Sequence, residues 1–412
     1  MRGSMDESIL DVLDGAAHDR VLVYGSLPPA GRDLDLLVRE PERRVFEYAL
    51  EDAGYLQHGC VWVRFADGGA TAVDLTPAVT WGLAAEELAA LYSDAVLLDG
   101  RAHIACPSGH HALLILARRA QRRPLGERQR RRLADADADA WAEARRRAAQ
   151  WGVTEQLDAL ARGDAPTPSR ARAVAHGVRV AARGNVICLS GLDGAGKSSQ
   201  AALLRDALHV VGIDAKVEWR PFGQNPTLGR VSRLGRHVLA ALRRFSASDA
   251  EDARAASDEP LLAKPGDATQ RSAAGRAALF AWTTFVALAN ALHQRRTAAE
   301  NALQGKFVIF DRYSLDSVVR LRYAYGDAER FRFQSFLIRA LSPKPRCAFF
   351  LDVPAETALG RKVDQWSLED LRRQAELYRE EAARQGVRRL DGERPREELA
   401  ADIATEVWRA LR

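Results

Sequence analysis

The chain has 412 residues and a formal net charge of +5, from 60 Lys and Arg against 55 Asp and Glu. Hydrophobic residues make up 47% and charged residues 28%, the balance of packed globular protein, which excludes a chain disordered throughout. The four cysteines form no C-x-x-C and no Cys/His cluster, so neither a disulfide framework nor a zinc site is supported.

At about 150 residues per domain the length suits two or three domains. Charge points the same way. Residues 1–117 hold 8 basic and 18 acidic groups, residues 118–183 hold 16 and 8, and residues 184–412 hold 36 and 29. An acidic first third followed by a basic stretch marks distinct modules. Lysine is scarce: only six of the 60 basic residues are Lys, and the first is Lys197. Met1 to Met5 has no apolar core and is not a signal peptide, with Met5 read as the natural start. The longest uncharged run, Ala277 to Leu292, is short for a membrane span and reads as a buried helix. The setting expected is cytoplasmic, with no membrane partner.

In chain order, a strand over 21–24 ends in Gly25-Ser26, and a second, 34–38, carries Asp33 and Asp35 at its start. A helix is predicted over 41–53, opened by Pro41 and closed at Gly54. Strands at 61–65 and 71–75 flank Asp67-Gly68-Gly69, a hairpin signal. From His110 to about Ala161 the pattern is helical, broken at Pro124 and Gly152. Pro166 and Pro168 mark a linker. A new unit begins at Asn185, with a strand at 186–190, a Gly-rich turn, a helix over 197–210 and a strand at 215–219. Residues 246–275 lack periodicity and read as an insertion. The helix 277–292 follows, then a strand at 307–310, helices through Leu341, a strand at 347–351 and two more helices. Strands alternating with helices mean a parallel sheet covered on both faces.

Gly191-Leu192-Asp193-Gly194-Ala195-Gly196-Lys197-Ser198 fits G-x-x-x-x-G-K-[ST], between a strand and a helix as that motif requires. Its glycines let backbone N–H groups curl round phosphates, and the helix N-terminus adds a favourable dipole. Lys197 is placed to reach the β- and γ-phosphates of ATP, and Ser198 to hold Mg²⁺. A lysine suits a narrow loop that a guanidinium fork would not fit.

The loop, continued by Ser199-Gln200, closely resembles that of thymidylate kinases. Asp311-Arg312-Tyr313 resembles that family's Asp-Arg-Tyr step, and the stretch from Phe349 through Asp352 and Pro354 to Arg361 and Lys362 looks like the strand and helix leading into its lid, a pattern that Arg372, Arg373 and Tyr378 continue. The resemblance covers roughly residues 184–412. It implies phosphoryl transfer from ATP to a nucleoside monophosphate or related small molecule, with Asp193 facing the acceptor and Arg361, Lys362 or Arg372 meeting transition-state charge, since Ala195 leaves no arginine in the loop. Chemistry agrees: Asp311 at a strand's carboxyl end lies on the phosphate side, fit to orient Mg²⁺ or accept a proton, and Arg312 can clamp an acceptor phosphate. Arg220 survives from the run that follows the family's second strand. Thr284 stands where the family carries a base-contacting arginine, so the acceptor is left open.

Gly25-Ser26, Asp33-Leu34-Asp35 and Asp74 resemble the polymerase-β-like nucleotidyltransferases. Residues i and i+2 of a strand face one side, so Asp33 and Asp35 can address one pair of Mg²⁺ ions, with Asp74 as bridge or base and Ser26 on a phosphate. The Arg-rich stretches 128–132 and 145–147 alternate with acids and have almost no aromatic interleaving, which favours a solvated helix face over nucleic-acid binding. The expectation is therefore α/β: a parallel-sheet, P-loop, nucleoside-monophosphate-kinase-like domain at 184–412. A smaller α+β nucleotidyltransferase-like domain at 5–165 precedes it, with a helical extension from about 108 and a linker at 166–183. The alternative is a regulatory nucleotide-binding protein with degenerate sites. A homodimer is left open.

Overall fold

In the computed structural model the chain divides into two compact units, Met1–Arg172 and Ala173–Leu411. The residues described are 8–25, 27, 33–66, 69–121, 125–164, 184–219, 273–325, 331–361 and 366–411. Ser26, the linker 166–183, Arg220, the insertion up to residue 272 and Lys362 lie outside them.

The first unit is built on a seven-stranded mixed sheet. Its elements are α1 (Ser8–Ala16), β1 (Val21–Val23), β2 (Asp33–Val38), α2 (Glu40–Asp52), β3 (Leu56–His58), β4 (Val61–Ala66), β5 (Gly69–Pro77), α3 (Ala85–Ser93), β6 (Val96–Leu97) and β7 (Ile104–Cys106). Four helices follow: α4 (Gly109–Ala120), α5 (Glu127–Ala134), α6 (Ala138–Trp151) and α7 (Thr154–Ala161). The strand order is β3-β4-β5-β2-β1-β7-β6, with β2 parallel to β5 and antiparallel to β1. Alternation along β2 divides the core. Leu34, Leu36 and Val38 join Phe46 and Leu50 of α2 on one face, while Leu37 joins Leu113, Leu114, Ala144 and Trp151 on the other. The helices from 109 onward thus complete the second face of this sheet. The helix α1 and the short strands β3, β6 and β7 go beyond the sequence reading. None of those strands exceeds three residues, too few for a period to show.

The second unit holds an all-parallel sheet of order β12-β11-β8-β10-β9. Its strands are β8 (Val186–Gly191), β9 (Ala215–Trp219), β10 (Phe307–Asp311), β11 (Cys347–Asp352) and β12 (Arg388–Asp391). Its helices are α8 (Lys197–Val210), α9 (Ala273–Leu303), α10 (Ser314–Tyr325), α11 (Arg332–Leu341), α12 (Ala355–Arg361), α13 (Leu368–Gln385) and α14 (Arg396–Leu411). Every residue of β8 and β10 is buried, as expected where helices cover both faces. The central strand β8 has β10 on one side and β11 on the other, which brings the carboxyl ends of all three together.

Two expectations change here. The helix expected at 277–292 runs over 273–303 and is buried on one side only. Thr283, Val286, Ala287 and Asn290 face inward, whereas Phe280, Phe285 and Leu292 are exposed. The strand β12 has no apolar run to announce it: of Arg388, Arg389, Leu390 and Asp391 only Leu390 is buried, because β12 is an edge strand. The four cysteines are free. Among the described residues no helix is long and apolar enough to cross a membrane.

Candidate functional site

The Gly-rich loop runs from the end of β8 into α8, and its backbone determines its shape. Gly194 has φ +86°, and a Cβ there would overlap the Ala358 carbonyl oxygen, so only glycine lets α12 approach the loop so closely. Gly191 and Gly196 also have positive φ, and Gly196 is the residue before the first turn of α8. Those first amides have no intrahelical acceptor, and with the helix dipole they make an anion site.

Lys197 is 5% exposed and its Nζ donates to the carbonyls of Gly191, at 2.9 Å, and Leu192, at 2.6 Å. Burial, reinforced by the Arg312 charge, pushes the ammonium down to about 8, with Asp193, Asp316 and Asp311 pulling against that fall. The Ser198 hydroxyl donates to Asp311 Oδ2. Asp311 is 1% exposed, and its Oδ1 is buried with no hydrogen-bond partner among the described residues. A buried carboxylate oxygen left unmatched is costly, and a hard cation with its waters satisfies it. Ser198 and Asp311 are therefore a fitting donor pair for Mg²⁺.

Arg312 is the one non-glycine residue with positive φ among those described, at +80°. Its N–H donates to the Leu189 carbonyl at 3.0 Å, and its guanidinium pairs with Asp193 across the loop. Burial works against the Arg312 charge, yet Asp193, Tyr378, Asp316 and Asp311 hold it more firmly protonated than a free arginine. Behind it, Asp316 accepts from the Tyr378 hydroxyl at 2.8 Å and the Tyr313 amide at 2.9 Å. Asp193 and Arg312 open onto a small cleft walled also by Arg320, Tyr323, Trp366 and Tyr378. The Tyr323 and Trp366 rings meet edge-on, 5.5 Å between centroids, and the Tyr323 hydroxyl donates to Asp370.

The structure thus brings Gly191, Asp193, Gly194, Ala195, Gly196, Lys197, Ser198, Asp311 and Arg312 together at one sheet end. Ser199 follows on the exposed side of α8. Arg361 donates to the Gly392 carbonyl at 3.1 Å and Arg372 pairs with Glu356, so both make local contacts. Thr284 is also engaged, donating to the Phe280 carbonyl at 2.7 Å and accepting from Gln334 at 3.1 Å. Tyr323 lies in α10 and Trp366 ahead of α13, so nothing local in the sequence pairs them.

In the first unit, parallel register sets Asp35 directly opposite Asp74, and Asp33 opposite Ala72. Paired residues of parallel strands face one way, so all three carboxylates share a face. Gly25 matters for the same reason, since a Cβ there would overlap the Asp35 carboxylate. The Tyr24 hydroxyl meets Thr76 Oγ1 at 3.0 Å, which donates to Asp74 Oδ1 at 3.1 Å. Burial, with Asp35 and Asp74 beside it, drives the Tyr24 phenol well above its usual range. Arg132 of α5 donates to the Gly25 carbonyl at 3.0 Å. The three carboxylates share a face, but their oxygens do not converge within 4.8 Å of one another, so the metal set expected from the sequence is not assembled here.

Three arginines of the basic stretch pair locally: Arg131 with Glu127, and Arg146 and Arg147 with Glu143.

No protein family model matches the chain. Among curated proteins, one described as a probable thymidylate kinase, from Pyrobaculum aerophilum, is 31% identical over 126 residues. The match takes in 29% of this chain and 64% of that protein, so the chain spans less than two thirds of the relative's length. The similarity supports a kinase-like part within the chain.

Proposed function

We propose that residues 184–412 form a P-loop phosphotransferase that moves the γ-phosphoryl group of ATP to a small acceptor, a nucleoside monophosphate or related molecule. One arrangement carries the reading: buried Lys197 inside a loop that only glycine can trace, beside a Ser198–Asp311 pair with an unmatched carboxylate oxygen. The loop amides and the α8 N-terminus hold the β- and γ-phosphates, and Lys197 turns its ammonium from the Gly191 and Leu192 carbonyls onto them. Ser198 and Asp311 would hold Mg²⁺, which when bound neutralises charge on those phosphates. Arg312 clamps the acceptor's anionic group, and Tyr323, Trp366 and Tyr378 wall its body. Catalysis is positioning plus charge: an acceptor oxygen bonds to the γ-phosphorus as the bond to the ADP oxygen breaks, and no covalent enzyme intermediate is needed.

For the first unit we propose nucleotidyl transfer, in which Asp33, Asp35 and Asp74 would hold a pair of Mg²⁺ ions. The registered Asp35–Asp74 pair and the space that Gly25 leaves for Asp35 favour it. The reading makes the protein cytoplasmic and leaves nucleic acid out of its partners.

A screen of nucleoside monophosphates, sugars and sugar phosphates with ATP labelled at the α or the γ phosphate tests both readings. The expected result is γ-label on an acceptor, abolished by Lys197→Met. Binding or slow hydrolysis of ATP whatever acceptor is offered would leave a regulatory nucleotide-binding protein instead.

A further inference from the structure

The four cysteines of the chain offer no zinc site. The fold of the first unit brings together a set without cysteine: His110 and His111, at the start of α4, and Asp94, which follows α3. We propose that Asp94, His110 and His111 form a binding site for a borderline divalent transition metal of the Zn²⁺ class.

The geometry argues for it. His110 Nε2 lies 3.6 Å and His111 Nδ1 3.9 Å from Asp94 Oδ2. Those separations are too long for hydrogen bonds and suit three donors placed round one ion. All three donor atoms lie within 4.8 Å of one another. His110 Nε2 is buried with no hydrogen-bond partner among the described residues, although it faces a carboxylate. Its other nitrogen is held by Ser108 Oγ at 3.3 Å, which fixes which nitrogen the ring offers. The same Ser108 Oγ hydrogen-bonds His111 Nδ1 at 2.9 Å, a bond that the ion would replace.

The surroundings agree. Glu87 and Glu143 face the pair from α3 and α6, against the Arg147 guanidinium, which is itself paired to both glutamates. Two imidazoles and one carboxylate select zinc-class ions over Mg²⁺, which prefers oxygen alone. The Asp94 side chain is 37% exposed, which gives the ion a route in and leaves a position for water. The site would tie the end of α3 to the start of α4. It also lies on a line of rings: His111 to Trp151 at 5.8 Å, Trp151 to Trp81 at 6.0 Å and Trp81 to Tyr24 at 5.3 Å. The Tyr24 hydroxyl leads through Thr76 to Asp74, so an ion here buttresses the face that carries the three carboxylates.

The test uses the full chain, stripped of metal and held in excess Mg²⁺ so that oxygen-only sites are filled. Zn²⁺ is titrated by calorimetry and Co²⁺ by visible absorption. The expected result is one Zn²⁺ per chain and the intense Co²⁺ bands of a nitrogen-ligated ion of low coordination number. Asp94→Asn and His110→Ala, each checked for folding by circular dichroism, should each weaken Zn²⁺ by more than the roughly 10–100-fold that loss of an outer-shell partner costs. Asp35→Asn should leave Zn²⁺ binding unchanged. The proposal is overturned by absence of stoichiometric Zn²⁺ uptake, by the weak Co²⁺ spectrum of six oxygen ligands, or by uptake lost in Asp35→Asn and kept in Asp94→Asn.

Discussion

The two units place charged chemistry at strand ends by opposite means. At the carboxyl ends of β8 and β10 the backbone does most of the shaping: three glycines with positive φ, a helix N-terminus and the strained Arg312 position form the cradle, and Lys197 and Asp311 are buried inside it. At the start of β2 the backbone is ordinary strand, and the site is a matter of register. Asp35 and Asp74 meet because β2 and β5 pair in parallel, while Gly25 contributes only by lacking a side chain. A backbone-built site is rigid and intolerant of substitution. A register-built site tolerates change in its surroundings and depends on its few carboxylates.

Reciprocal substitutions break this comparison most forcefully. Asp311→Asn should lower γ-phosphoryl transfer by about 10²–10³-fold, the scale of losing one transition-state contact, and leave α-label transfer unchanged. Asp74→Asn should do the reverse. A change in both activities from either substitution would deny the units their independence.

Glycine replacements sharpen the contrast. Gly25→Ala overlaps Asp35 down to its Cβ and should displace it, lowering nucleotidyl transfer by roughly 10²-fold, as about 1 Å of misplacement does. Gly194→Ala meets the Ala358 carbonyl in a left-handed conformation and should cost roughly 1–3 kcal/mol in denaturant unfolding, along with ATP binding. Gly196→Ala has the same handedness and open space around it, so only the conformational cost of about 1 kcal/mol applies. Equal losses at 194 and 196 would contradict the close packing of α12 on the loop.

The smallest expected effect is a proton. Lys197 titrates near 8 in the free loop, below its unfolded value of 10.5. Between those values the unfolded chain binds more protons, so this lysine adds to the free protein's stability as pH rises through that window. Triphosphate opposes the shift, so ATP binding should take up a fraction of a proton near pH 8 and weaken above it. Calorimetry in buffers of different ionisation enthalpy reads this directly, and the uptake should vanish in Lys197→Met.

How much of this was legible in the sequence follows the same division. The strand 215–219 and the helix 197–210 were readable to the residue, because punctuation and burial agree there. Asp33 and Asp35 were legible as an i, i+2 pair, and Asp74 only by resemblance, since register is a property of two strands. The Asp193–Arg312 pair spans 119 residues and had no local sign. The aromatic wall at Tyr323 and Trp366 and the Asp94–His110–His111 cluster were hidden for the same reason: each joins residues from different elements. The outward side of α9 is not legible because Ala277–Leu292 is uncharged throughout, with Thr283 and Asn290 on the buried side and Phe280 and Leu292 outside.

The central claim is that Lys197 serves phosphoryl transfer, and the most direct test is single-turnover transfer of the γ-label from ATP to the best acceptor of the screen, with wild type and Lys197→Met compared at saturating ATP. The account predicts stoichiometric transfer by the wild type and a rate lower by about 10²–10³-fold or more in the variant. Equal rates in the two proteins, or a label released only as free phosphate by the wild type, would contradict it.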